Sequence, residues 1–315
     1  MCFSGIRKTL RLPVALTLLL AAPAHAVTVR DAGGRSVTVN DASRIVSAGG
    51  AVTEILYALG LKDRVVAVDT TSLYPADALK EKKNVGYFRA LSAEGVLGLN
   101  PSVVIAIEGA GPPPTIAVLE AATVPLVRVP DHYTGEGITE KVKLIAAVAG
   151  ADARGACLAK QVEFDLAALA KLREKVTKPK KVMFVLSMQG GKPMVAGRNT
   201  AADGLIKLAG GVNAIDAYEG YKLIADEAVI AAAPDSVLVM DRQQNAVDAA
   251  ALFARAAFTM TPAAKDKAFV AMDGLYLLGF GPRTASAARD LAEKLYPSLG
   301  HAALPSEGAG ADCAK

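Results

Sequence analysis

Tryptophan is absent from this 315-residue chain, and histidine and cysteine occur only three times each. So few histidines and cysteines leave no HExxH pair, no CxxC and no cluster able to hold zinc. GxSxG, the Walker phosphate loop and GxGxxG are also missing, and Gly49-Gly50 and Gly109-Ala110-Gly111 read as plain loops. An α/β enzyme using Glu94 or Asp203 as a base would lack a partnered nucleophile or metal. Charge of one sign is equally scarce. The formal net charge is +4. Arg7, Lys8 and Arg11 account for most of it, so the remainder is nearly neutral and has no basic block for nucleic acid. Beyond Pro23 no uninterrupted apolar run reaches the roughly 18 residues of a membrane span.

What is present begins with a secretory leader. Its basic start is followed by an apolar stretch from Pro13 to Pro23 and the small-x-small site Ala24-His25-Ala26, so cleavage is expected after Ala26. Cys2 lies too early to be the modified cysteine of a lipoprotein. The mature chain keeps His132 and His301, with Cys157 and Cys313 far apart, and their pairing stays open. From Arg44 onward short β-branched runs alternate with helical patterns, which predicts largely parallel sheets covered on both faces. Residues 27–138 read as one α/β lobe and 179–300 as a second. Between them, over 139–178, the β signal disappears and apolar residues recur at helical spacing from Val142 to Leu172, ending before Pro179. Gly150 and Gly155 are the places where this stretch could bend; if continuous, a helix of that length is a strut of about 55 Å. The fold class expected is therefore α/β, with two Rossmann-like lobes, a long backbone helix and a ligand cleft between the lobes. Residues 301–315, rich in alanine and glycine, read as a flexible tail.

A weak internal repeat accompanies the two lobes. Leu91-Ser-Ala-Glu94 through Pro101 lies over Ile224-Ala-Asp-Glu227 through Pro234, with a glutamate at the helix start and a proline at the same spacing in each. Such a carboxylate complements the helix dipole. Two equivalent ones on two lobes also suit docking onto a two-fold partner.

The segment Asn84-Val-Gly86-Tyr87-Phe88-Arg89-Ala-Leu91-Ser-Ala-Glu94 resembles the haem-binding proteins of bacterial ABC-type haem importers. These belong to the helical-backbone class that also includes cobalamin and ferric-siderophore binders. The similarity extends to Gly49-Gly-Ala-Val-Thr-Glu54, to Ala196-Gly-Arg198-Asn-Thr200-Ala-Ala-Asp203, and to Tyr221-Lys222 through Pro234-Asp235. It implies a periplasmic, monomeric carrier rather than an enzyme, with haem as the transported ligand and Tyr87 as the ligand to ferric iron. A phenolate is a hard anionic donor suited to Fe(III), but free tyrosine ionises near pH ~10 and needs nearby positive charge or the metal. Arg89 offers such charge, or a partner for a haem propionate.

The resemblance also implies an arginine from the second lobe beside the ligating tyrosine, and Arg242, at the end of a predicted strand, is the candidate. Some relatives supply a histidine near Ser187-Met188-Gln189; here that position has none. Met188 and His132 are the alternatives for the second haem face, and five-coordinate iron on Tyr87 alone is expected. Glu94 and Glu227 match the two carboxylates that dock onto the permease dimer of the ABC transporter. The rival ligand is a ferric siderophore or cobalamin, with Tyr87 then a wall residue.

Overall fold

The computed structural model describes residues 26–241, 247–307 and 313–314. The expected leader, apart from Ala26, lies outside the described residues. The chain opens with an antiparallel hairpin, β1 (Val27–Arg30) and β2 (Ser36–Val39). Five parallel strands then form the first-lobe sheet: β3 (Ile45–Ala48), β4 (Val65–Val68), β5 (Lys83–Asn84), β6 (Val103–Ile107) and β7 (Leu126–Val129), in the order β5-β4-β3-β6-β7. Every residue of β3 and β6 is buried, because helices cover both faces and two apolar clusters sandwich the sheet.

The second lobe is mixed. Strand β8 (Lys181–Gln189) and β9 (Lys192–Ala196) form a hairpin across Gly190-Gly191. Short β10 (Val212–Asn213) pairs with the start of β8, and β11 (Tyr221–Leu223) adds antiparallel to β9. Strands β12 (Ser236–Asp241) and β13 (Phe269–Asp273) extend the sheet in parallel on the other side of β8.

The stretch read as a backbone helix over 139–178 is interrupted at Gly150, one of the two glycines marked as a place to bend. It is two helices, Gly135–Val148 and Asp152–Arg173, packed on each other. Gly150 ends the first: its φ is 61°, a left-handed conformation glycine adopts without cost, and Ala151 N returns a bond to Ala146 O at 2.8 Å. The second helix, 22 residues and about 33 Å long, is the true backbone. Leu158 and Ala159 pack in the first-lobe core, while Val162, Leu169 and Leu172 pack in the second-lobe core. One helix thus contributes to both hydrophobic cores.

The tail also departs from expectation. Leu304 is buried, Ser306 N donates to Asp165 Oδ1 at 2.9 Å, and Glu307 pairs with Arg289 of the helix Thr284–Leu295. Cys313 is disulfide-bonded to Cys157, with Cα atoms 5.7 Å apart, and packs in the first-lobe core. Alanine and glycine content suggested flexibility, but the described residues of the tail are held by an ion pair, a few hydrogen bonds and one covalent link, none of which composition reveals. Among its described residues, Ser306 and Glu307 thus touch the backbone helix and the second lobe, and Cys313 touches the first-lobe core. The double variant Cys157→Ser/Cys313→Ser should lower the unfolding free energy by about 2–4 kcal/mol, read as a lower urea midpoint, and should make the 301–307 segment open to limited proteolysis.

Candidate functional site

The lobes meet over a junction of buried polar contacts. Glu54, on the first-lobe helix Gly50–Ala58 and only 4% exposed, accepts from Arg283 Nη2 at 2.9 Å and from Arg283 N at 3.1 Å. Lys141 is fully buried; its Nζ lies 2.6 Å from Asp131 Oδ1 and 3.3 Å from Phe280 O. Asp131 belongs to the first lobe and Phe280 to the second, so one ammonium holds both. Tyr133 lies edge-on to Phe280 with ring centres 5.3 Å apart. Gly204 of the second lobe meets the same tyrosine: a β-carbon there would stand 2.5 Å from Tyr133 O, so only glycine permits the approach. Beside this junction Arg283 stacks over Tyr74 at 3.5 Å, and Leu73, Tyr74, Asp273, Tyr276, Arg283 and Asp290 line a cavity of about 280 Å³. A larger concavity of about 580 Å³ lies on the outer edge of the first lobe, between β2 and the start of β7, and holds none of the candidate residues.

Tyr87 follows β5 and begins a short turn, Phe88–Ala90. Its side chain is 45% exposed and meets Phe88 edge-on at 4.9 Å. Arg89 is exposed, with its guanidinium 4.9 Å from the Phe88 ring centre. Backbone bonds fix this loop: Thr70 N donates to Gly86 O (2.9 Å), Gly111 N to Phe88 O (3.0 Å) and Leu91 N to Gly111 O (2.8 Å). Beneath it sits Asp69, fully buried at the end of β4. Its carboxylate accepts from Gly49 N (2.9 Å), Thr71 N (3.0 Å), Thr71 Oγ1 (2.8 Å), Ser72 Oγ (3.0 Å) and Phe88 N (3.3 Å).

Two tyrosines that the sequence reading did not nominate stand near Arg89. Burial pushes the Tyr221 phenol up to about 12, against contacts with Thr200 and the Ala202 backbone and the field of Arg89, all of which lower it. Tyr133 is raised by burial and by its hydrogen bond and charge interaction with Asp131, while Arg89 acts in the opposite sense. Arg89 of the first lobe therefore acts electrostatically on a phenol of each lobe. Tyr221 was legible in the Tyr221-Lys222 motif, and Asp69 in the polar run Asp69-Thr-Thr-Ser72 that follows a strand. Tyr133 carried no signal.

The other candidates are more dispersed. Met188 lies on β8 and packs, half-buried, against the second-lobe core. His132 is largely exposed, with Nδ1 3.5 Å from Glu140. Asp203 is buried and paired with Lys207, so it is not free to act as a base. Arg242 lies outside the described residues. Glu94 and Glu227 are both exposed, each in the first turn of a short helix, Ala93–Leu97 and Asp226–Ala232, and neither forms an ion pair among the described residues. In the same residues no group of three His, Cys, Asp or Glu side chains is placed to hold a metal ion, and no helix is long and apolar enough to cross a membrane.

Residues 45–275 match the model of a family described as periplasmic binding protein. Among solved structures, the periplasmic haem-binding protein RhuT from Roseiflexus sp. RS-1, in apo form, is 41% identical with a TM-score of 0.77, over 82% of this chain and 100% of that one. The periplasmic haem-binding protein BhuT, in complex with two haems, is 39% identical with a TM-score of 0.76, over 82% and 99%. An uncharacterized ABC transporter substrate-binding lipoprotein of Bacillus subtilis (strain 168), YvrC, is 28% identical over 275 residues, 86% of each chain.

The raised phenol of Tyr221 sets an alkaline limit. A folded value near 12 against 10.0 for an ordinary tyrosine means that its contribution to stability is complete below pH 10 and is lost as pH rises from 10 toward 12. Urea midpoints at pH 8 and pH 11 should therefore differ less for Tyr221→Phe than for the wild type.

Proposed function

The chain belongs to the periplasmic binding protein family, a binding protein that works outside the cytoplasm with a membrane ABC transporter rather than an enzyme, and from that premise we propose that its cargo is ferric haem. The observation that carries the reading is Tyr87, a tyrosine left exposed on a loop anchored by backbone bonds, with Arg89 two residues away. In this reading the Tyr87 phenolate binds the iron and Arg89 either stabilises that phenolate or pairs with a propionate. Leu73 and Tyr74, both large and exposed, supply apolar surface for a porphyrin. Arg242 is the second-lobe arginine assigned to the phenolate, and the iron is five-coordinate on Tyr87, with Met188 and His132 as the side chains to test on the other face.

Residence in the periplasm is proposed on the expected secretory leader, and the Cys157–Cys313 disulfide suits an oxidising compartment. The two exposed carboxylates Glu94 and Glu227 are proposed to meet arginines of the permease dimer. Each sits at the start of its helix with no internal ion pair to break, so docking costs no buried contact. Closure on binding is proposed to be modest, because the Glu54–Arg283 and Lys141–Phe280 contacts hold the lobes at their junction.

Titration of the mature protein with haemin should give saturable binding and a ferric absorption spectrum with a phenolate-to-iron charge-transfer band. Tyr87→Ala should lose that band and bind at least about tenfold more weakly, which corresponds to some 1.4 kcal/mol. Absence of haemin binding by the wild type, with binding of cobalamin or a ferric siderophore instead, would replace the cargo and leave the family assignment intact. The double variant Glu94→Lys/Glu227→Lys should retain haemin affinity and lose haem uptake through the transporter reconstituted in liposomes; unchanged uptake would remove the docking role.

A further inference from the structure

We infer that Asp69 is the positioning residue of the binding site, the buried carboxylate that fixes the direction in which the Tyr87 loop presents its phenol. The inference rests on the reading of Tyr87 as the iron ligand. Three loops converge on this side chain. Gly49 follows β3, Thr71 and Ser72 follow β4, and Phe88, the residue next to Tyr87, follows β5; all donate to the same carboxylate. These are adjacent strands of one parallel sheet, so one side chain links the ends of three of the five first-lobe strands.

The hydroxyls behind Asp69 have a defined direction. Ser72 Oγ has one proton and gives it to Asp69 Oδ1. Thr53 Oγ1, 2.7 Å from Ser72 Oγ, must then donate to Ser72, and Ser47 Oγ, 2.7 Å from Thr53 Oγ1, must donate to Thr53. The buried row Ser47, Thr53, Ser72 therefore points every proton toward the carboxylate, and a hydrogen-bonded row of this kind polarises each member in the same sense. Thr71 Oγ1 does the same from the other side while accepting from Gly50 N at 2.9 Å, the first residue of the helix Gly50–Ala58. All four hydroxyls and the entry of that helix are thus oriented around one buried acceptor. The only donor in the set that belongs to the Tyr87 loop is Phe88 N, at 3.3 Å the longest of the contacts, which makes it the one most readily lost.

Asp69→Asn keeps the shape but replaces one acceptor oxygen with a donor that faces donors. Two readouts on the full mature chain test the role. In unliganded protein, hydrogen exchange of the 84–91 segment should accelerate at least about tenfold relative to wild type, while segments of the second lobe stay unchanged. With haemin, Asp69→Asn should weaken binding by about tenfold or more, the loss expected for a hydrogen bond to a charged group, and shift the phenolate charge-transfer band. In a Tyr87→Phe background the same change should weaken haemin by less than about twofold.

Unchanged exchange in the 84–91 segment would overturn the inference whatever the cargo is. An equal penalty with and without Tyr87 would also overturn it, since Asp69 would then act on the lobe as a whole. If wild type binds no haemin, the reading of the cargo fails, and the exchange experiment alone still decides whether Asp69 holds the loop. Should Asp69→Asn not fold, Ser72→Ala breaks the hydroxyl row at its last link and is expected to produce the same pattern at smaller amplitude; no change in exchange or in the band would count against the role.

Discussion

Two buried charges at the junction of the lobes, Lys141 and Glu54, set the terms for the rest of the molecule. A charge taken out of water is tolerated only with close, well-aligned partners. Lys141 finds Asp131 in one lobe and the carbonyl of Phe280 in the other; Glu54 finds Arg283 across the same gap. Separating the lobes would take Arg283 from Glu54 and the Phe280 carbonyl from Lys141, which would keep only Asp131. The relative position of the lobes is therefore specified by electrostatics, and the apolar backbone helix supplies length and rigidity. The walls of the cleft take their spacing from this junction.

The same logic of few, buried, fully partnered polar groups recurs inside the first lobe. Asp69 gathers the ends of three strands as Lys141 gathers the two lobes. Both leave exposed, chemically versatile side chains, Tyr87 and Arg89, on a backbone that has few alternatives. The phenols of Tyr133 and Tyr221, one from each lobe, are both raised by desolvation and both lowered by the charge of Arg89.

Much of this was legible in the sequence. The β-branched runs at Val103–Ile107 and Val237–Met240 lie within strands of the structure, and Ser92 and Thr200 cap the helices that follow them. Tyr87, Arg89, Glu94 and Glu227 were nominated because they sit in local motifs. What escaped is what depends on distance along the chain. The partner of Glu54 is 229 residues away and the second-lobe partner of Lys141 is 139 away, and no periodicity encodes such pairs. The helix break fell at Gly150, one of two glycines where a bend could be read, but apolar spacing did not tell a bend from a full reversal, since two helices folded back on each other keep the same period as one long one. The tail was misread because composition reports how much apolar surface a segment can bury, and a segment held by Arg289, Asp165 and a disulfide needs little.

The tail has a consequence for how the molecule is made. Cys157 and Cys313 are separated by 156 residues, with the entire second lobe between them. Their bond cannot form until residue 313 has followed the rest of the chain into an oxidising compartment, by which time every strand of both sheets is already present to fold. Oxidation is thus a closing step performed on a nearly complete body. Ser306, bonded to Asp165 of the helix that carries Cys157, and Glu307, paired with Arg289, already return the chain to that helix before the second cysteine is reached.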